Sequence, residues 1–77
     1  MSIVIETHDL TLFGCPMHYI KAREFLRSMD IGEVVLFEVN KGDAVDEVLT
    51  SLRYDGQTCE IESEQESTVL IRVIKRI

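Results

Sequence analysis

Seventy-seven residues, 45% of them hydrophobic, suffice for one domain over 1–77 with a single thin core. A chain this short buries only about 60% of its unfolded surface, which excludes a deep enclosed substrate cleft and leaves any chemistry to the surface. A net charge of −6 argues against a nucleic-acid backbone as ligand, because phosphates are held by clustered Lys and Arg.

The opening "MSIVIETHDL" is rich in β-branched residues and predicts a first strand from Ile3 to Leu10. It carries no charged leader before an apolar core, and no apolar run approaches ~18 residues. The expectation is a soluble, cytoplasmic protein that does not engage a membrane, with both cysteines as free thiols. After Cys15 and Pro16, the residues Tyr19, Ala22, Phe25, Leu26 and Met29 recur at helical spacing, with Lys21, Arg23, Glu24 and Arg27 on the other side. Gly32 punctuates the end of this helix. "EVVLFEVN", Glu33 to Asn40, is apolar at almost every position and predicts a central strand with neighbours on both edges.

Asp43 offers a side-chain oxygen as N-cap for a second helix, whose stripe is Val45, Val48, Leu49 and Leu52. Gly56 suits its C-terminal side. "QTCEIE" alternates and predicts a strand with Cys59 and Ile61 inward. The polar stretch Glu64 to Ser67 then turns the chain into a last strand, "TVLIRVIKRI". The order is β-α-β-α-β-β. One apolar stripe per helix predicts a two-layer α/β sandwich: a four-stranded mixed sheet with both helices on one face. The first β-α-β unit is expected to be parallel with a right-handed crossover, and the closing hairpin antiparallel.

Within that frame Cys15 falls where a loop becomes a helix. Pro16 suits the first helical position, where a missing N–H is not needed. The unpaired amides and partial positive charge of a helix start stabilise a thiolate, so Cys15 is the candidate nucleophile. Cys59, by contrast, has the pattern of a core residue. His18, three residues on, is either a ring that assists proton transfer near the thiol or an exposed first-turn side chain. His8 reads as an ordinary strand residue. Lys21 and Arg23 add positive charge further along the helix, either as a solvated face or as a docking patch for an acidic partner. A second basic group, Arg72, Lys75 and Arg76, closes the chain.

No metal is expected, because Cys15 and His18 supply only two of the four ligands of a closed zinc site. A thioredoxin-like role is disfavoured, since position 18 holds no resolving cysteine.

These residues resemble the TusA-like (SirA/YedF-type) sulfur-carrier family. The likeness runs through Asp9-Leu10 six residues before the cysteine, "CPM", the amphipathic helix, Ile31-Gly32-Glu33 before an apolar strand, and the second helix. The resemblance implies a sulfurtransferase in which Cys15 accepts sulfane sulfur as a persulfide and Pro16 shapes the helix start. The donor would be a protein such as a cysteine desulfurase or a rhodanese, and the sulfur would pass to an acceptor protein without a cofactor. Two positions depart from the family pattern. His18 replaces the second proline of Cys-Pro-x-Pro, and Leu12 stands where a glycine is usual, with Gly14 displaced toward the cysteine. A regulatory or protein-binding module that keeps the fold without the relay is the alternative reading.

Overall fold

A computed structural model describes residues 5–14 and 17–77. The elements are β1 (Glu6–Asp9), α1 (Met17–Arg27), β2 (Val34–Asn40), α2 (Asp43–Tyr54), β3 (Thr58–Glu64) and β4 (Thr68–Ile74). This is the expected order. Of the strand expected from Ile3 to Leu10, the part before residue 5 lies outside the described residues.

The apolar run of β2 has the neighbours it called for. β1 pairs with it in parallel, from Glu6 opposite Val35 to Asp9 opposite Glu38. On the other side β4 pairs antiparallel, from Val34 opposite Ile74 to Asn40 opposite Thr68. The hairpin partner β3 then lies outside β4, and the sheet order is β1-β2-β4-β3.

Alternate residues of the central strands show which face is covered. Val35, Phe37, Val39, Val69, Ile71 and Val73 are buried in one core with Ala22 and Leu26 of α1 and Val45, Val48, Leu49 and Leu52 of α2. Their neighbours Val34, Leu36, Leu70 and Ile74, pointing the other way, are only half-buried. Both helices therefore pack on a single face of the sheet. Among the described residues, no helix is long and apolar enough to cross a membrane.

Three local expectations are corrected. Asp43 is not the N-cap of α2. Gly42 takes that place at φ +102°, a backbone conformation that L side chains rarely adopt, and no side chain caps the helix. Asp43 and Asp46 instead lie in the first turn, where their charge opposes the helix dipole.

Ile61 is 48% exposed rather than inward. It stands opposite Ile71, but a register shift between Ile61 and Ser63 leaves Glu62 as an extra residue on an edge strand. Such a bulge, with acidic neighbours at Glu60 and Glu64, discourages strand addition from outside.

The third correction concerns His18, which is 3% exposed, buried in the stripe of α1 rather than displayed. Positions 18, 22 and 25 lie within a narrow arc of a 3.6-residue helix, and α2 brings Glu47 to within 3.2 Å of the His18 ring.

The far end of α2 follows expectation. Gly56, at φ +100°, donates to the Arg53 carbonyl, and Gln57 donates to that of Leu52. That pair of bonds is a Schellman closure, which satisfies carbonyls a helix end leaves open.

Candidate functional site

The loop from β1 to α1 is built from its first residues onward. Asp9 Oδ1 accepts from the Thr11 amide at 2.8 Å and the Thr11 hydroxyl at 2.6 Å, forming a tight Asx turn. The hydroxyl, then the amide, holds the Asp9 carboxyl below its ordinary range. Leu10 is anchored in the core and donates its amide to the Glu38 carbonyl. Asn40 Nδ2 donates to the Thr11 carbonyl at 2.9 Å, tying the loop to the end of β2. Phe13 closes back onto Leu10 by a backbone bond.

The loop reaches Gly14, and there it meets α1 again. The Gly14 carbonyl accepts both the His18 amide, at 3.2 Å, and His18 Nδ1, at 3.2 Å. Cys15 and Pro16, the residues on which the thiol chemistry was expected, lie outside the described residues. What is described is their immediate frame: a pinned loop before them and a helix beginning at Met17 after them.

That frame has two distinguishing properties. The first turn of α1 contains no acidic residue, so nothing on it offsets the positive end of the helix dipole. Around it stand large apolar side chains open to solvent: Leu12 at 89% exposure, with Phe13, Met17 and Ile20 each more than a third exposed. A loop and a helix start that display four such residues form a surface suited to contact with another protein.

His18 is the buried polar group of this region. Its Nδ1 faces a carbonyl, which can only accept, so Nδ1 carries the proton. On the opposite edge Nε2 lies 3.2 Å from Glu47 Oε2 of α2, without the alignment of a hydrogen bond; among the described residues it has no hydrogen-bond partner. A buried polar atom left this way costs about 1–3 kcal/mol and is the kind of exception that calls for a role. Sequence reasoning could not have found Glu47, because no local pattern links it to a residue 29 positions earlier.

Lys21 and Arg23 are not brought together. Two positions apart on a helix, they are turned about 200° from one another. Lys21 Nζ lies 5.7 Å from the centre of the Phe13 ring and 3.4 Å from Glu24. Arg23 instead stacks over Tyr19 and lies 3.3 Å from Asp55 Oδ2, which also accepts the Tyr19 hydroxyl at 2.7 Å. Burial, then that hydrogen bond and the Asp55 charge, push the Tyr19 phenol up, with Arg23 opposing.

The fold also regroups the two basic stretches. Arg23, Arg27 and Lys75 line one open cleft of about 290 Å³ with Asp55. Arg72 is drawn away from them to Glu60, at 2.8 Å, and Glu62.

Cys59 has the expected structural character. It is 3% exposed, and burial pushes its thiol up to about 11, slightly opposed by the Arg53 guanidinium. That guanidinium donates twice to the Cys59 carbonyl. His8 sits on the helix-facing side of β1, its ring stacked on Phe25 with centroids 3.8 Å apart. Among the described residues, no three His, Cys, Asp or Glu side chains gather as metal ligands would.

The class of protein defined by this architecture is a small two-layer α/β sandwich with a loop-to-helix junction at its first helix. Among solved structures, the chain is similar to a SirA-like protein from Desulfitobacterium hafniense, with a TM-score of 0.78 over 95% of this chain and 100% of that one. The two sequences are 18% identical, so the likeness establishes a shared fold. No family model and no curated protein matches the sequence.

Proposed function

We propose that this protein is a sulfur carrier that holds sulfane sulfur on Cys15. In the loading step the Cys15 thiolate attacks the outer sulfur of a donor persulfide, R–S–SH. The donor S–S bond breaks, the donor leaves as the thiolate R–S⁻, and Cys15 becomes Cys–S–SH. Sulfur is transferred without net oxidation, so no cofactor is required. Unloading is the same exchange with an acceptor nucleophile attacking the outer sulfur.

The observation that carries the reading is the start of α1. A helix whose first turn is free of acids favours an anion at its N-terminus, and a persulfide is anionic at neutral pH. Pro16 would shape that start. The exposed ring of Leu12, Phe13, Met17 and Ile20 supports docking of a protein donor, such as a cysteine desulfurase or a rhodanese, rather than capture of a small molecule. Cys59 is unsuited to the task, being buried and held as a neutral thiol. The shared fold with a SirA-like protein is consistent with this role.

The test is intact-mass measurement after incubation with a persulfidated desulfurase. Wild type should gain about 32 Da, one sulfur atom, and Cys15→Ala should gain nothing while Cys59→Ala still labels. If wild type stays unlabelled across desulfurase and rhodanese donors, the carrier reading fails and the protein-binding module takes its place.

A further inference from the structure

Nothing in the loading chemistry uses the buried ring of His18, yet its surroundings are specific. A neutral imidazole has one N–H, and the Gly14 carbonyl takes it at Nδ1. Nε2 is then a bare lone pair 3.2 Å from a carboxylate oxygen of Glu47, so two acceptors face each other. A second proton on the ring converts that opposition into a charge-assisted contact. The ring thus has two states. Doubly protonated, it joins the Gly14 carbonyl to Glu47. Singly protonated, it can keep only the bond to Gly14.

We propose that His18 and Glu47 form a proton-linked latch between the loop ahead of α1 and helix α2, and that the reactivity of Cys15 follows it. The proposal deepens the carrier reading and rests on Cys15 being its reactive thiol. His18 acts here as a positioning residue: it grips the carbonyl of the residue next to Cys15 in sequence.

Among the described residues, the charged group that meets the ring is Glu47 of α2. Asp43 and Asp46 lie in the first turn of the same helix, and Lys21 of α1 is engaged with Glu24. The approach from the loop is the neutral Gly14 carbonyl. Glu47 is 46% exposed, so the carboxylate beside the buried ring is open to solvent.

The experiment measures iodoacetamide alkylation of Cys15 by mass spectrometry from about pH 5 to 9. It uses the full chain as wild type, His18→Gln and Glu47→Gln. Wild type should depart from a single thiol ionisation by a second, several-fold step. Both variants should lose that step while still melting cooperatively. In wild type alone, long-range ¹H–¹⁵N spectra should show Nδ1 keeping its proton throughout while Nε2 gains and loses one. A single-step wild-type profile matching that of the variants would overturn the latch. So would loss of the Nδ1 proton, an outcome that needs no variant to fold. Absence of sulfur loading would remove the carrier reading and leave the alkylation profile as an independent result.

Discussion

The two helices of this protein begin in opposite ways. α2 opens behind a glycine cap with Asp43 and Asp46 in its first turn, so its dipole is answered by its own side chains. α1 opens with none, beside four exposed apolar side chains and over a buried histidine. One helix start is finished internally. The other has no acid of its own, which on the proposed reading leaves it to the anion of Cys15, at a cost in local stability that the rest of the fold must absorb.

The largest test of this division is in packing. Leu52 of α2 is fully buried, and Leu52→Ala should cost about 2–5 kcal/mol in urea unfolding. Leu12, beside α1, should be replaceable by Ser within about 0.5 kcal/mol. Equal costs at the two positions would mean that the apolar collar is structural.

A smaller effect separates the two cysteines by pH. The Cys59 thiol is raised from 9.0 to about 11, and the Tyr19 phenol is raised as well, so the fold favours their protonated forms. That stabilisation is whole below about pH 9 and is lost as pH rises through about 11. Urea midpoints in this window should fall by an amount corresponding to something on the order of 1–3 kcal/mol for Cys59. The Cys59→Ala curve should be flatter, and Cys15→Ala should follow wild type.

The finest test reverses the electrostatics of the helix starts. Asp43→Asn should lower stability by about 0.3–1 kcal/mol, while Met17→Asp should raise it by a similar amount and slow Cys15 alkylation several-fold. Stability and reactivity moving in opposite directions is the signature expected of a helix start kept acid-free for function. If Met17→Asp left alkylation unchanged, the charge argument for α1 would fail.

Much of this was legible in the residues. The three glycines at positive φ, Gly32, Gly42 and Gly56, stand between elements, as expected of residues free to take that backbone conformation. The apolar run of β2 announced a strand paired on both edges, and the stripe of α2 announced its buried face. Cys59 was recognisable as core from its alternation. Ile61 obeyed the same alternation and still came out exposed, because a bulge and an edge position are not written in the spacing of one strand.

The burial of His18, which excludes the exposed one of its two readings, was hidden for a related reason. The periodicity of α1 set the direction of its stripe, but its width depends on where α2 lies, and α2 brings Glu47 up to the histidine.

Local order is thus what the sequence alone determined: element types, their succession, and a single covered sheet face. These follow from backbone sterics and from side-chain periods within a few residues. Tertiary structure decided the insertion of β4 between β2 and β3, the pairing of Arg23 with Asp55, and the meeting of His18 with Glu47. Each is a contact between distant segments, and its geometry exists only once the sheet and both helices have packed against each other.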